Sequence, residues 1–149
     1  MTTNYYVHNH LFNKDFPYLV IDIWYTIIQF LNINKPFSLN LNFKNQEILK
    51  KLLNYIEDNF SENITLNLLS DELFISKSTI QRLFTNHLNT SPYDYIINFR
   101  INKSLPLLLN TDYSISEIAF LVGFNNTSQY IKHFKNILNI TPNKYKHSH

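Results

Sequence analysis

Apolar positions recur at helical spacing along this 149-residue chain from about residue 46 onward. Apolar residues three and four apart predict helices at about 46–60, 66–74, 78–88, 93–109, 116–122 and 127–138. A polar break at 76–78 lies between the two short helices of a first pair, and another at 125–127 lies between those of a second pair. Serine or threonine before these helices can accept hydrogen bonds from the open N–H groups of the first turn. The pattern predicts an all-α fold in which a long bridging helix joins two helix-turn-helix units, after a short N-terminal extension.

An internal repeat relates the two units. The stretch from Phe84 to Tyr95 recurs fifty residues later, from Phe134 to Tyr145, with matching Phe, Asn, Leu, Asn, Pro and Tyr. Five apolar or small positions between 66 and 75 correspond in the same way to five between 115 and 124. A duplicated supersecondary unit accounts for both matches.

The turns of the two units carry different residues. Asn89 and Asn139 stand at the ends of the second helices, where asparagine tolerates a left-handed cap, and a proline follows each three residues later. Gly123, the only glycine of the chain, falls at the turn inside the second unit, but Phe74 occupies the equivalent place in the first. We therefore expect the turn of the first unit to be built differently.

The bridging helix carries one face on which both units can pack. Its members are Ile96, Ile97, Phe99, Arg100, Ser104, Leu107 and Leu108. A structural hydrogen bond or ion pair is favoured for Arg100 over a contact with DNA. Pro106 lies inside this helix and is expected to remove one backbone hydrogen bond, with a kink or a cost of about 3 kcal/mol.

Residues 1–43 form the N-terminal extension. The stretch that begins at Tyr18 and ends at Leu31 is apolar nearly all round, so as a helix it would be buried on its own domain or in a homodimer. It is shorter than the roughly 20 residues that span a bilayer, so no membrane association is expected. Four apolar residues that alternate with polar ones then predict a short strand or an extended linker: Phe37, Leu39, Leu41 and Phe43.

Charge is unevenly distributed. Residues 44–75 carry three bases and six acids, a net charge of −3, whereas residues 76–149 carry eight bases and three acids, a net charge of +5. The positive half suits a polyanion, although an ordinary solvated surface would also explain it.

Several kinds of chemistry have no residues to support them. The chain has no cysteine, no glycine-rich loop, no paired carboxylates and no serine with a placed base. His8 with His10, and His147 with His149, sit at the termini and are expected to be solvated rather than metal ligands. We expect no enzyme activity, no metal and no cofactor, and a cytoplasmic location at the bacterial nucleoid.

Residues of the second unit and the bridge match, at fixed spacings, the sequence pattern of a known family. The matching segments are Ile115-Ser-Glu117-Ile118-Ala119, Val122-Gly123-Phe124, Ser128, Phe134-Lys135, Thr141-Pro142 and Tyr145-Lys146. From about Phe43 to Lys146 the chain resembles the AraC/XylS family of bacterial transcription regulators. It departs from the family pattern at Asn89 and Asn139 (usually glycine), Ser70 and Ser104 (usually alanine), Lys146 (usually arginine) and Pro106.

The resemblance implies a domain organisation and a mode of binding. Residues 44–149 would be the DNA-binding domain, with a first helix-turn-helix at about 62–92, a bridging helix at about 93–109 and a second helix-turn-helix at about 112–146. The second helix of each unit would enter a major groove of double-stranded DNA, roughly 34 Å from the other. Most family members carry a long ligand-sensing domain in front, for which residues 1–43 leave no room, so we expect control by abundance or by a partner.

The helical spacing indicates which side chains would face DNA. In the first unit they are Ser78, Thr79, Gln81, Arg82 and Thr85. In the second unit they are Asn126, Thr127, Ser128, Gln129, Lys132, His133 and Lys135. Gln81 suits adenine, and Arg82 suits guanine or phosphate unless it is an ordinary surface charge. Thr127 and Gln129 are the predicted base readers of the second unit. Lys132 could reach a base or a phosphate, and Lys135 is expected to contact phosphate or solvent.

Two functions remain open on the sequence alone. The first is a sequence-specific transcription regulator whose partners are promoter DNA and RNA polymerase. The alternative is an interaction module that keeps the fold but binds a related regulator or RNA polymerase through the stretch from Tyr18 to Leu31, without reading DNA.

Overall fold

The computed structural model describes residues 39–148, with side chains described from 44 to 147. All regular structure in this part of the chain is helical, which confirms the predicted all-α class. The helices are α1 (Leu39–Asn59), α2 (Leu66–Leu73), α3 (Lys77–Leu88), α4 (Pro92–Asn110), α5 (Ile115–Leu121), α6 (Thr127–Leu138) and α7 (Pro142–Ser148). The first unit is the pair α2 and α3, and the second unit is the pair α5 and α6. The bridging helix α4 joins them.

Helix α1 begins seven residues earlier than the spacing predicts. The strand or linker predicted at Leu39, Leu41 and Phe43 is wrong, because these residues are helical. Leu39 and Phe43 are four apart, so this short alternation fits a helix as well as a strand, and the amphipathic helix that follows extends back through it. Phe37 and the apolar stretch from Tyr18 to Leu31 lie outside the described residues.

Helix α7 was missed because its first residue is a proline. Pro142 reads as a terminator of α6, yet it is also the first residue of α7, where its missing N–H costs nothing. Pro92 starts α4 in the same way. The hydroxyl of Thr141 accepts a hydrogen bond from the backbone N–H of Lys144 at 3.3 Å and helps to start α7.

Two hydrophobic cores lie on the two ends of the bridge. The core of the first unit contains Leu49, Leu52, Ile56, Leu69, Ile80, Leu83, Phe84 and Ile96. The core of the second unit contains Ile97, Ile101, Leu108, Ile118, Ala119, Val122, Phe124, Tyr130 and Phe134. Neighbouring residues of α4, Ile96 and Ile97, thus belong to different cores. This confirms that the bridge serves both units.

Helix α4 runs without interruption through Pro106 to Asn110. The carbonyl that loses its partner is that of Asn102, four residues back. Asn102 and Pro106 are both exposed on the same side of the helix, so water can hydrogen-bond to this carbonyl. The proline is therefore accommodated on the solvent face of the bridge.

The turns inside the two units share the same construction. Phe74 adopts the left-handed conformation with φ 54°, and Gly123 at the equivalent place has φ 90°. The next backbone N–H bonds back to the first helix in both units: Ile75 N to Ser70 O at 3.1 Å, and Phe124 N to Ala119 O at 2.9 Å. The expectation of a different first turn is wrong, because the side chain of Phe74 is 95% exposed and extends into solvent.

The ends of the helices follow the sequence prediction. Asn89 and Asn139 adopt left-handed backbone at the C-caps of α3 and α6, with φ 51° and 61°. Polar side chains accept hydrogen bonds from first-turn N–H groups at the starts of six helices: Thr65, Ser76, Ser91, Ser114, Asn126 and Thr141. Within residues 39–148, no helix has the length and hydropathy needed to cross a bilayer.

Candidate nucleic-acid interface

Helix α3 presents one polar face to solvent. Ile80, Leu83 and Phe84 are buried in the first core, as the spacing predicts. Exposed polar residues occupy the other side at positions one turn apart: Ser78, Gln81, Arg82 and Thr85. These four side chains are called the outer face of α3, and they are free to approach a groove because the apolar residues anchor the helix from behind.

The start of α3 is held by a hydroxyl cluster. The hydroxyl of Ser76 accepts a hydrogen bond from Thr79 N at 3.3 Å, and it lies 2.8 Å from the hydroxyl of Thr79 and 3.1 Å from that of Ser78. Thr79 is half-buried. Of the predicted residues, Thr79 therefore helps to set the first turn, whereas Ser78 stays at the surface.

Helix α6 has a similar arrangement. Tyr130 and Phe134 are buried in the second core, and Ile131 lies at the side of the helix with 36% of its surface exposed. The outer face of α6 consists of four exposed residues: Ser128, Gln129, Lys132 and Lys135.

Two predicted residues of the second unit make hydrogen bonds within the protein. The side chain of Asn126 accepts from Ser128 N at 2.7 Å and caps α6. The hydroxyl of Thr127 lies 3.0 Å from that of Ser116 on α5, and Thr127 is half-buried. These two side chains fix the turn and the beginning of α6, which positions the outer face that follows.

His133 is packed among aromatic rings. Its ring centroid lies 6.2 Å from that of Tyr93 at the start of the bridge and 6.2 Å from that of Phe124. Its Nε2 is 3.5 Å from the hydroxyl of Tyr93. The fifty-residue repeat pairs His133 with Leu83, which is buried, so the sequence held a signal for this inward position.

Arginine and lysine occupy equivalent places on the two outer faces. The repeat pairs Arg82 of α3 with Lys132 of α6, and both side chains are exposed. Neither forms an ion pair with a carboxylate of residues 44–147. Each unit therefore presents one unneutralised cation at the same point of its second helix, which is suitable for phosphate or guanine.

Arg100 serves the interior of the protein. Its Nε donates to the carbonyl of Phe60 at 2.8 Å, and its Nη2 donates to the carbonyl of Glu62 at 2.6 Å. Burial lowers the pKa of Arg100 from its ordinary value, but a guanidinium remains protonated at neutral pH. The predicted structural role of Arg100 is confirmed.

Sequence reasoning missed a capping box at the start of α5. The hydroxyl of Ser114 accepts from Glu117 N at 3.2 Å, and the Glu117 carboxylate accepts from Ser114 N at 2.7 Å. The hydrogen bonds from Ser114 hold the pKa of Glu117 below its ordinary value. The Ser-x-x-Glu spacing was a readable signal for this cap.

The chain is similar in sequence and in structure to known helix-turn-helix proteins. The sequence model of a family described as a helix-turn-helix domain matches residues 69–148. YdeC of Bacillus subtilis, an uncharacterized HTH-type transcriptional regulator, is 38% identical over 98 residues, which cover 66% of this chain and 34% of YdeC. The crystal structure of the C-terminal domain of the two-component response regulator yesN from Fusobacterium nucleatum is 31% identical, with a TM-score of 0.64, and the match covers 67% of this chain and 98% of that one.

The chain belongs to the AraC family. A further solved structure is that of the DNA-binding domain of AdpA, the global transcriptional factor, in complex with a target DNA. It is 24% identical to this chain with a TM-score of 0.64, and the match covers 67% of this chain and 90% of that one. At that identity the match shows the shared fold. This AraC-family chain spans between about a fifth and a half of the length of the curated relatives it matches.

Proposed function

We propose that residues 44–149 form the sequence-specific DNA-binding domain of a transcription regulator, and that α3 and α6 enter successive major grooves of double-stranded DNA. The observation that carries this proposal is the pair of equivalent exposed cations, Arg82 and Lys132, on outer faces whose other members are all polar or basic. Such faces match the mixed donors and acceptors of base edges and phosphates.

The side chains of each outer face have different roles in DNA binding. Gln81 and Gln129 read adenine, because a side-chain amide can pair with the N6 and N7 atoms of that base. Arg82 and Lys132 bind guanine or phosphate. Ser78 and Ser128, in the first turns of their helices, donate to phosphates and orient the protein without reading sequence. The AdpA domain, which has the same fold, is one that binds a target DNA.

The other residues predicted to face DNA have supporting roles beside these DNA contacts. Thr79, Asn126, Thr127 and His133 position the two helices, since their polar atoms or rings contact other parts of the protein. Lys135 is exposed near the end of α6 and adds a phosphate contact.

The experiment is selection of bound sequences from a random DNA pool, followed by binding curves on the selected site. The variants Gln81→Ala and Gln129→Ala should each lower discrimination at one base position by about tenfold and leave the other positions unchanged. Asn54→Ala, which removes an exposed amide from α1, is the matched control and should change nothing. Unchanged preference in both glutamine variants would contradict the assignment of readers.

The same selection and binding curves distinguish a sequence-specific regulator from the alternative function. An interaction module that does not read DNA would show no selected sequence and only weak, uniform DNA affinity. A promoter-bound regulator acts in the bacterial cytoplasm, and RNA polymerase is the protein partner we propose for it. Purified polymerase should then bind more tightly to a promoter fragment that carries the selected site when this protein is present.

The residues from Tyr18 to Leu31 are proposed as a homodimer contact. Sedimentation of the full chain against a variant with Ile23→Asp and Ile27→Asp would test this contact. Loss of a dimer in the variant supports it, and a monomeric wild-type chain contradicts it.

A further inference from the structure

The loop between α1 and α2 contacts the second unit directly as well as the bridge, so it connects the two units a second time. Helix α1 contributes Leu52 and Ile56 to the core of the first unit. Phe60, one turn further along, packs instead against the core of the second unit. Its ring also meets Phe99 of the bridge edge-on, with centroids 5.5 Å apart. The loop thus leaves the first core and lies on the second.

Gly123 allows the backbone of this loop to approach the second unit closely. A Cβ at position 123 would lie 2.5 Å from the carbonyl oxygen of Phe60 and 2.9 Å from both Cα and O of Ser61. All three are backbone atoms, so no rotation of a side chain could relieve the clash. The equivalent turn of the first unit has Phe74 at φ 54°, whereas Gly123 adopts φ 90°, so position 123 favours glycine for its backbone conformation as well as for this close approach.

Arg100 fastens the same loop from the bridge. Its two hydrogen bonds go to the carbonyls of Phe60 and Glu62, on either side of Ser61. Its guanidinium carbon lies 5.8 Å from the ring centroid of Phe124, the residue after Gly123. The side chain is only 8% exposed, so these bonds form away from competing water. Residues Phe60, Ser61, Glu62, Arg100, Gly123 and Phe124 are called the inter-unit junction.

We propose that the inter-unit junction fixes the angle and separation between α3 and α6, and that it therefore makes spacing between the two DNA contacts a determinant of specificity. The DNA part of this statement rests on the proposed function. Two units joined by one helix alone could pivot about it, whereas a second connection beside the helix removes that freedom. Inserting one base pair rotates the second contact by about 35° and moves it by about 3.4 Å, which a rigid pair cannot follow.

The rigidity is tested without DNA by spin labels on the full chain. The chain has no cysteine, so cysteines introduced at Asn86 and Asn136, exposed residues of α3 and α6, take the only two labels. Pulsed electron resonance should give one narrow distance distribution for this parent. Arg100→Met, which removes the two hydrogen bonds, and Gly123→Ala, which pushes the loop away, should each broaden or shift it.

Phe74→Ala is the matched control, because it changes the equivalent turn of the first unit and its exposed side chain is outside the junction. Its distribution should equal that of the parent. Melting curves establish that each variant is folded, and Arg100→Met suffices if Gly123→Ala does not fold. A broad distribution in the parent, or a distribution unchanged in Arg100→Met, would overturn the junction whether or not the protein binds DNA.

The consequence for specificity is tested on the selected DNA site with one base pair inserted or removed between its halves. The wild-type chain should lose about tenfold or more in affinity on each altered site. Arg100→Met should lose much less, while Phe74→Ala should behave as wild type. Equal losses for wild type and Arg100→Met would overturn spacing control. A narrow label distribution without any DNA binding would instead contradict the proposed function alone.

Discussion

Tyr130 is the buried ionisable residue whose pKa shift predicts a change of stability with pH. Its hydroxyl donates to Ser104 Oγ at 3.0 Å, and Ser104 donates onward to the carbonyl of Ile101 at 2.7 Å. Burial raises the pKa of Tyr130 to about 12, from 10.0 for an exposed tyrosine. The folded state thus favours the protonated form, because a buried phenolate would be desolvated, and the hydrogen bond with Ser104 offsets only part of this rise in pKa.

The resulting prediction concerns alkaline stability. The contribution of Tyr130 is fully present below pH 10 and is lost as the pH rises through about 12, because the unfolded chain ionises first. Tyr130→Phe should remove this loss, which is worth roughly 2 kcal/mol in the free energy of unfolding. Urea unfolding of both proteins between neutral pH and pH 12 measures it. Parallel declines in the two proteins would show that other groups cause the alkaline loss.

Phe74 illustrates a cost carried by a single exposed residue. A bulky side chain in left-handed backbone costs about 1 kcal/mol or more, and this one regains little by burial because it is 95% exposed. Phe74→Gly should therefore raise the free energy of unfolding by up to about 1 kcal/mol. Urea unfolding of both proteins at neutral pH measures the difference, and a loss of stability would indicate a contact of the ring that offsets the backbone cost.

At the scale of elements, Pro106 is the clearest point of weakness. Pro106→Ala restores a backbone N–H that can bond to the carbonyl of Asn102 within a helix that already continues to Asn110. The free energy of unfolding should rise by about 1 to 3 kcal/mol. Asn98→Ala, an exposed change in the same helix, is the control and should give about 0.5 kcal/mol or less. Equal effects would mean that the proline costs the bridge nothing.

The elements were largely predictable, because apolar residues at helical spacing determine which segments bury a face. The ends of helices were less so. Leu39 to Phe43 fits two periods equally well, and Pro142 can end one helix or begin the next. In both cases the adjoining helix determines where the helical segment begins, and the preferences of single residues do not.

Some features of the candidate site could be predicted from the sequence, and others could not. The outer faces follow from local spacing, so the positions of Gln81 and Lys132 could be predicted. The inward packing of His133 could have been inferred from its repeat partner Leu83. The approach of Phe60 to Gly123 could not, because two backbones distant in sequence meet there and no side-chain pattern encodes the contact.

At the scale of the whole molecule, the uneven charge sets how the protein meets a polyanion. The net charge of +5 over residues 76–149 belongs to the part that contains both outer faces, whereas residues 44–75 carry −3. A DNA duplex would attract the first part and repel the second, so we expect the charge distribution to orient the protein before specific contacts form.

A pair of lysine variants tests this orientation. Lys132→Ala and Lys51→Ala remove the same charge from exposed sites, one on the outer face of α6 and one on α1. Each phosphate contact releases counterions, so Lys132→Ala should reduce the slope of log affinity against log salt by about 1. Lys51→Ala should leave the slope unchanged, since α1 belongs to the negative part of the chain. Fluorescence anisotropy over a salt series measures both slopes. If the two variants lowered the slope equally, DNA would be responding to total charge, and the outer face of α6 would have no special contact with phosphate.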